Sequence, residues 1–208
     1  MKKKRIILIA NSEHVENINH IITHSDIIVR FNLPQIETIY LTGNRTDYLF
    51  VANTHDLAGK KFKRKSRFFN FYKKHLHDSK VILPYSDPLI QKIKPFYTKK
   101  YFLFFKRTYQ NWNNKKFFLF FKQNNIPFDI LDDSYYCRAC KKIESNSQQI
   151  ISTGLLAYFY FSSNIQFKDY HIILNGFSFQ GWNGHNWSAE KYYILNQQNK
   201  GLITLLCK

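Results

Sequence analysis

The stretch "RIILIANS", residues 5–12, decides the fold class of this 208-residue chain. Its apolar run, rich in isoleucine, stops at an Asn-Ser pair, a pattern typical of a buried strand that ends in a turn. Similar runs return along the chain. We predict strands at "RIILIA" (5–10), "DIIVRFN" (26–32), "TDYLFVAN" (46–53), "KVILP" (80–84), "PFDIL" (127–131) and "YHIILNGF" (170–177), with "LITLL" (202–206) as a last edge strand.

Helical patterns lie between these strands. Apolar residues at helical spacing predict an amphipathic helix over 13–24, and "STGLLAYFYFSS" (152–163) predicts a second helix with Ser152 as its N-cap. The residues that follow "GHNW" (184–187) also form a helical pattern. Apolar strands that alternate with helices predict an α/β fold, with a mostly parallel sheet covered by helices on both faces. We expect one Rossmann-like domain over residues 1–208.

The charge of the chain is concentrated in one segment. Residues 60–122 hold eighteen Lys and Arg against two acids, whereas the rest of the chain has thirteen bases and twelve acids. The same basic aromatic segment holds eighteen of the thirty-seven aromatic residues. Basic and aromatic side chains together suit either an anionic membrane surface or a single-stranded nucleic acid. "KKYFLFF" (99–105) and "KKFFLFF" (115–121) within it are either a composition bias or a pair of amphipathic elements.

The cysteines indicate a reducing compartment. There are three, and only Cys137 and Cys140 form a Cys-x-x-Cys pair, which is not a secreted disulfide framework. A zinc site would need further ligands, such as His171, at no recognisable spacing, so a free thiol pair is the simpler interpretation. The apolar run after the basic start is too short for a signal peptide or a membrane span. We therefore expect a cytoplasmic protein.

Four polar sites fall at the carboxyl ends of predicted elements, where parallel sheets bind ligands. They are Asn11 with Ser12, Arg30 with Asn32, Asn53, and the helix start at Ser152, Thr153 and Gly154. Asn side chains can bond sugar hydroxyls, and a helix N-terminus attracts a phosphate. Together these residues suggest a nucleotide pocket, although each element alone also fits ordinary turn or cap chemistry.

Two common nucleotide-site motifs are absent from the sequence. It has neither a Walker-type loop nor Gly-x-Gly-x-x-Gly, so a P-loop enzyme or an ordinary dinucleotide fold is not expected. It also lacks an Asp-x-Asp motif for a divalent metal; "DILDD" (129–133) groups three acids that fit a solvated turn equally well. We expect no metal and no cofactor.

The order of these elements resembles the sialyltransferases, most of all the animal-type group (glycosyltransferase family 29) and its bacterial relatives. The resemblance covers residues 5–56 and 150–195, about half of the chain, and Asn53 lies where the other bacterial group has a ribose-binding Asn. Ala10 departs from the family, which has Gly there, and the paired cysteines of the animal enzymes are missing. The matching residues are Asn11, Ser12, Arg30, Asn32, Gly43, Arg45, Thr46, Ser152, Thr153, Gly154, His185 and Glu190.

The resemblance implies a CMP-activated acidic sugar as donor and a single inverting displacement without metal. His185 would be the general base or a phosphate ligand, and Glu190 on the following helix would orient its turn. An acceptor hydroxyl needs a base as the new bond forms, and histidine suits that role at neutral pH. Local context alone favours an exposed loop histidine at position 185, and the order of the family motifs reverses that preference. The donor-binding residues would be Asn11, Ser12, Arg30, Asn32, Asn53, Ser152, Thr153 and Gly154.

These observations favour a transferase that moves sialic acid, or a related sugar such as Kdo, onto a glycan or a lipid-linked oligosaccharide. The basic aromatic segment would then dock on an anionic membrane surface, at the cytoplasmic side of the inner membrane. The alternative is a non-catalytic nucleic-acid-binding domain, which explains the charge but not the ordered motifs. A degenerate transferase fold that serves only as a partner subunit is a third possibility.

Overall fold

The computed structural model describes residues 4–53, 70, 72–74, 76–93, 114–145 and 149–206. Seven strands form one sheet in the order β5-β4-β3-β2-β1-β6-β7, and every neighbouring pair is parallel. The elements are β1 Arg5–Ile9, β2 Ile27–Phe31, α1 Ile36–Thr42, β3 Tyr48–Phe50, β4 Lys80–Leu83, α2 Asp87–Ile93, α3 Asn114–Gln123, β5 Phe128–Ile130, α4 Asp133–Ile143, α5 Thr153–Ser163, a 3-10 turn at Ile165–Phe167, β6 His171–Asn175, α6 Trp187–Asn199 and β7 Ile203–Leu206.

The predicted α/β fold with a parallel sheet is confirmed, and all seven predicted strands are present. Their apolar cores are buried: the four residues 6–9 of β1, for example, are at most 1% exposed. Continuous burial is the expected consequence of covering a parallel sheet on both faces. The observed strands are shorter than the sequence runs, because the polar residues that end each run lie in the loops that follow.

Alternate residues of the strands pack into separate cores on the two faces of the sheet. On one face, Ile6 and Leu8 pack with α5, which contributes Leu155 and Leu156. On the other face, Leu49 of β3 packs with apolar residues that include Phe121 of α3, and Ile7 and Ile9 of β1 pack with the loop after β1. Helix α5 is the most deeply buried of the described helices, with six apolar residues in the core: Leu155, Leu156, Ala157, Tyr158, Phe159 and Phe161.

The predicted helix over 13–24 is wrong. The segment forms turns and irregular backbone, yet its apolar residues Val15 and Ile18 are buried. The side-chain amide of Asn175 accepts a hydrogen bond from the backbone N–H of Glu16 at 2.9 Å and donates one to its carbonyl at 3.0 Å. These bonds replace those that a helix would make internally, so the segment buries its apolar side chains without helical geometry.

Most of the basic aromatic segment of residues 60–122 lies outside the described residues, and so does the first of its two similar runs, 99–105. The second run lies in α3, where Phe121 is buried and Phe118 stacks on Phe128 with ring centroids 5.6 Å apart. In the part of the chain that the structure describes, no helix is long and apolar enough to cross a bilayer.

Candidate functional site

The order of the sheet creates a switch point between β1 and β6. The chain moves from β1 outward to β5 and then returns to the other side of β1, so the loops after β1 and β6 diverge. A crevice at such a point is where open parallel sheets bind ligands. A pocket of about 410 Å³ lies there, lined by residues that follow β1, β2 and β6 and by the start of α5.

Six of the predicted donor-binding residues line this pocket. They are Asn11, Ser12, Asn32, Ser152, Thr153 and Gly154, which come from three distant parts of the sequence. His185 and Glu190, from the loop before α6 and from α6 itself, line the same pocket. The structure therefore brings together eight of the ten predicted site residues. The two exceptions, Arg30 and Asn53, are buried beside it.

Arg30 lies under the α1–β3 loop instead of in the pocket. Its guanidinium is 1% exposed and donates to the carbonyl oxygens of Thr42 at 3.2 Å and Gly43 at 2.5 Å. Burial lowers the pKa of Arg30 to about 10, which still leaves it charged at neutral pH. The donor contact predicted for Arg30 has no support in this geometry, because its hydrogen bonds hold the loop that precedes β3.

Asn53 acts through a neighbour. Its side-chain amide donates to the carbonyl of Tyr85 at 2.7 Å and accepts from the Tyr85 N–H at 3.2 Å. The Tyr85 hydroxyl in turn donates to the carbonyl of Ile151 at 2.9 Å, directly before the start of α5. The geometry thus gives Asn53 a positioning role in place of the predicted donor contact, since it fixes a tyrosine that lines the pocket.

Asn53 belongs to a chain of asparagines along the carboxyl edge of the sheet. The Asn11 amide donates to the carbonyl of Phe31 at the end of β2, at 2.8 Å. The Asn32 side chain accepts from the N–H of Ala52, after β3, at 3.0 Å. Each asparagine ties the end of its own strand to the end of the next one. Asn175 does the same from β6 to the loop after β1, and it was not among the predicted site residues, although it also closes a buried strand.

The start of α5 is built around Ser152. As predicted, Ser152 is the N-cap, and its hydroxyl accepts from the N–H of Leu155 at 3.1 Å. The backbone N–H groups that follow it, at Thr153 and Gly154, begin the helix and line the pocket. Gly154 is required by packing: a Cβ there would lie 2.7 Å from the ring of Phe177. The positive end of the α5 dipole therefore faces the pocket and suits an anion.

The Glu190 carboxylate bonds to Ser152 at the start of α5, whereas the predicted role was to orient the turn that carries His185. One carboxylate oxygen accepts from the Ser152 N–H at 2.8 Å and the other from the Ser152 hydroxyl at 2.5 Å. The side chain is 1% exposed, and burial raises the pKa of Glu190 to about 7 against the opposing effect of these two hydrogen bonds. The carboxyl group thus fixes the N-cap of α5 and changes charge near neutral pH.

His185 is held in one tautomer by its own surroundings. Its Nδ1 lies 2.5 Å from the carbonyl oxygen of Ile150, which can only accept, so Nδ1 carries the proton and Nε2 is the acceptor. The ring lies between Trp182 and Trp187, with centroids 5.0 and 4.7 Å away. Burial lowers the pKa of His185 below 6.5, so the imidazole is neutral at physiological pH. A neutral imidazole with a fixed acceptor nitrogen is the form that a general base requires.

The acidic and cysteine motifs stay apart from this pocket. Asp129 pairs with Lys80 at 2.8 Å, Asp132 caps α4 and Asp133 accepts from the Ser86 hydroxyl at 2.9 Å. Cys137 and Cys140 are free thiols on α4. Across the described ranges, His, Cys, Asp and Glu side chains do not gather in threes that could hold a metal ion.

Sequence comparisons give no relative: no family model matches the chain, and no curated protein matches it. Solved structures do match. An α-2,3-sialyltransferase of Campylobacter jejuni in apo form superposes with a TM-score of 0.58 at 13% identity, covering 99% of this chain and 76% of that one. The Campylobacter jejuni sialyltransferase CstII in complex with the substrate analogue CMP-3FNeuAc gives 0.55 at 12% identity, covering 98% and 80%.

A second structure of CstII, in complex with cytidine-5'-monophosphate, gives a TM-score of 0.54 at 11% identity, with 99% of this chain and 80% of that one covered. The likeness therefore extends over nearly the whole described chain and not only over the motifs. At these low sequence identities, the structural likeness is evidence for the fold. The protein has a sialyltransferase-like α/β fold.

Proposed function

We propose that the protein is a glycosyltransferase that moves sialic acid, or a related acidic sugar such as Kdo, from its CMP-activated form to a hydroxyl of a glycan. The observation that carries this proposal is a neutral histidine, with its acceptor nitrogen fixed, in the same pocket as the N-terminus of α5. A base and an anion site are the two groups that transfer from a CMP-sugar requires. The fold of the matching structures, two of them CMP or CMP-sugar-analogue complexes, supports the same donor class.

His185 serves as the general base in this proposal. Nε2 takes the proton of the acceptor hydroxyl while the hydroxyl oxygen attacks the anomeric carbon of the donor sugar. The bond from that carbon to the CMP phosphate oxygen breaks in the same step. The configuration at the anomeric carbon inverts in this single displacement. The phosphate-ligand alternative is less favourable, because a neutral imidazole whose N–H is bonded to Ile150 has no second proton to donate.

The start of α5 stabilises the leaving group. The phosphate gains one negative charge as the bond breaks, and the backbone N–H groups of Thr153 and Gly154 are placed to donate hydrogen bonds to its oxygens. Among the described residues that line the pocket there is no Lys or Arg, so the helix end is the main positive group there. We propose that the helix end takes the place of a divalent ion in stabilising the leaving phosphate, so that CMP release should persist in EDTA.

The acceptor is proposed to be a lipid-linked oligosaccharide at the cytoplasmic face of a membrane. The support is the charge of residues 60–122, which hold eighteen Lys and Arg against two acids. An anionic lipid surface attracts such a segment at about 1 kcal/mol per basic residue close to the surface. Docking there would keep the protein beside a membrane-anchored acceptor.

The decisive experiment is release of CMP from CMP-sialic acid and from CMP-Kdo, followed with EDTA present. Native protein should release CMP from at least one donor, and His185→Ala should lose at least about a hundredfold in rate, the lower range for a general base. Its affinity for CMP, measured by calorimetry, should stay within about threefold if the residue is a base. His24→Ala is the matched control, because His24 is an exposed histidine outside the pocket.

The pH profile gives a second test of the same assignment. Since burial lowers the pKa of His185, the rate should decrease toward acid pH with a midpoint below pH 6.5. A native protein that neither binds CMP nor releases it from either donor would refute the proposed function. Full activity of His185→Ala would leave the donor class standing but overturn the base.

A further inference from the structure

Trp182 is a large aromatic side chain that remains exposed in the wall of the pocket. Half of its surface, 50%, is accessible, and it lines the same pocket as His185. The two ring centroids lie 5.0 Å apart with the ring planes at 87°. The indole and the imidazole therefore form a right-angled corner, and the indole is half exposed.

Several contacts hold Trp182 in this position. A Cβ on Gly184 would lie 2.2–2.4 Å from three atoms of the Trp182 ring, so the ring packs directly over a position that only glycine allows. The Trp182 carbonyl accepts from the indole N–H of Trp187 at 3.1 Å and from the backbone N–H of His185 at 3.3 Å. The preceding loop includes Phe179 in the left-handed region at φ +50, a strained conformation of a kind that clusters at functional sites.

We infer that Trp182 is the platform for the terminal sugar of the acceptor, which stacks on the indole face and turns an edge hydroxyl toward His185. This inference rests on the proposed function and names the acceptor subsite of the same pocket. A pyranose ring has an apolar face of C–H groups and carries its equatorial hydroxyls around its edge. A ring that lies on the indole thus directs a hydroxyl at an imidazole that stands perpendicular to it.

The donor and acceptor subsites then belong to different elements. The phosphate binds at the start of α5, whereas Trp182 lies in the β6–α6 loop. Since exposed aromatic area next to a polar cleft is typical of a binding surface, the location favours a ligand that enters from solvent. The described lining holds no Lys or Arg, which suits a neutral sugar ring at this position.

The test separates acceptor binding from donor binding. Using the donor that native protein hydrolyses, transfer is measured to fluorescent β-glycosides of galactose, N-acetylhexosamines and heptoses. Trp182→Ala should raise the KM for the best acceptor at least about tenfold, with a smaller fall in kcat, whereas the Kd for CMP should stay within about twofold. Trp182→Phe, which keeps an aromatic ring, should recover most of the acceptor affinity and also covers the case in which the alanine variant does not fold. Tyr192→Ala is the control, because Tyr192 is an aromatic residue 74% exposed outside the pocket.

Each contrary outcome has a distinct meaning. An unchanged acceptor KM in folded Trp182→Ala would overturn the platform, and so would a CMP affinity that weakens in parallel, since Trp182 would then contact the donor. A native protein that hydrolyses a donor but glycosylates no member of the panel would overturn the sugar subsite alone. Failure to bind CMP at all would refute the proposed function instead.

Discussion

Replacing Glu190 by glutamine should make the folded protein more stable at neutral and alkaline pH. The Glu190 carboxyl group is 1% exposed, and burial raises its pKa to about 7 from the ordinary value of 4.5. Glutamine has the same shape and can keep both bonds to Ser152: its oxygen accepts from the Ser152 N–H, and its NH₂ donates to the Ser152 hydroxyl oxygen. The substitution removes the charge and retains the geometry.

The sign follows from proton linkage. Because the pKa of Glu190 is higher in the folded state, the folded state binds more protons between about pH 4.5 and about pH 7. The stability associated with the protonated carboxyl is therefore complete below the unfolded pKa and is lost as the pH rises through the folded pKa. Integrating between about pH 5 and about pH 8 gives a loss of about 2.5 kcal/mol from this one group.

Urea unfolding of the native protein and of Glu190→Gln at these two pH values measures the effect. The difference in unfolding free energy between the two proteins should grow in favour of the glutamine variant by about 2.5 kcal/mol on going from acid to alkaline pH. In thermal scans the corresponding shift is roughly 5–10 °C for a chain of this size. Comparing two proteins at each pH cancels the contribution of the other titrating groups.

Glu13→Gln is the matched control, since Glu13 is an exposed glutamate, and it should follow the native pH dependence. Parallel curves for native protein and Glu190→Gln would refute the reasoning, because they would mean that Glu190 ionises in the folded state as readily as in the unfolded one. Retained CMP binding by Glu190→Gln would further support a positioning role, in which the carboxyl group acts on Ser152 through hydrogen bonds and not through charge.

Two further predictions concern residues away from the pocket. Arg30→Met removes the donors to the carbonyls of Thr42 and Gly43. At about 1–3 kcal/mol for each buried group left unpaired, it should lower the unfolding free energy by roughly 2–6 kcal/mol. Calorimetry on the folded variant should still give the native affinity for CMP. Weaker CMP binding at unchanged stability would instead support the prediction that Arg30 contacts the donor. The second prediction concerns six basic residues outside the described part of the chain: Lys60, Lys61, Lys63, Arg64, Lys65 and Arg67. Neutralising them should weaken sedimentation with anionic liposomes, while turnover of a soluble acceptor stays largely intact. Unchanged liposome binding, or steeply salt-dependent binding to single-stranded RNA, would instead favour the nucleic-acid alternative.

The sheet could be predicted because its strands are buried on both faces. Burial of this kind leaves continuous apolar runs, such as "IILI" in β1 and "IIL" in β6, that can be recognised without knowledge of the neighbouring strands. The cap of α5 could be predicted for a similar reason, since Ser152 bonds to a backbone N–H only three residues away. Both signals are local, and both are confirmed.

The helix predicted over 13–24 does not form, because a residue far away in the sequence takes the backbone hydrogen bonds that the helix would need. The spacing of Val15 and Ile18 fits a helix, but Asn175, 159 residues from Glu16, takes both backbone groups of Glu16. The role of Glu190 escaped for the same reason. Its partner Ser152 is 38 residues earlier in the chain, whereas the sequence suggested the nearby His185. Neither Asn175 nor Ser152 could be identified as a partner from the sequence next to Glu16 or Glu190.

The asparagines show how far residue position and residue role can differ. An Asn at the end of a strand suggested two interpretations, turn chemistry and a nucleotide pocket, and here the two are not exclusive. Asn11 and Asn32 line the pocket and at the same time tie their strand ends to the next strand. A binding edge made of loops needs such ties, because each loop would otherwise move independently of its neighbours. The His185 loop is held separately, by the bond between His185 Nδ1 and the carbonyl oxygen of Ile150 just before α5. In the proposed transfer, that bond sets the distance between the base and the helix end.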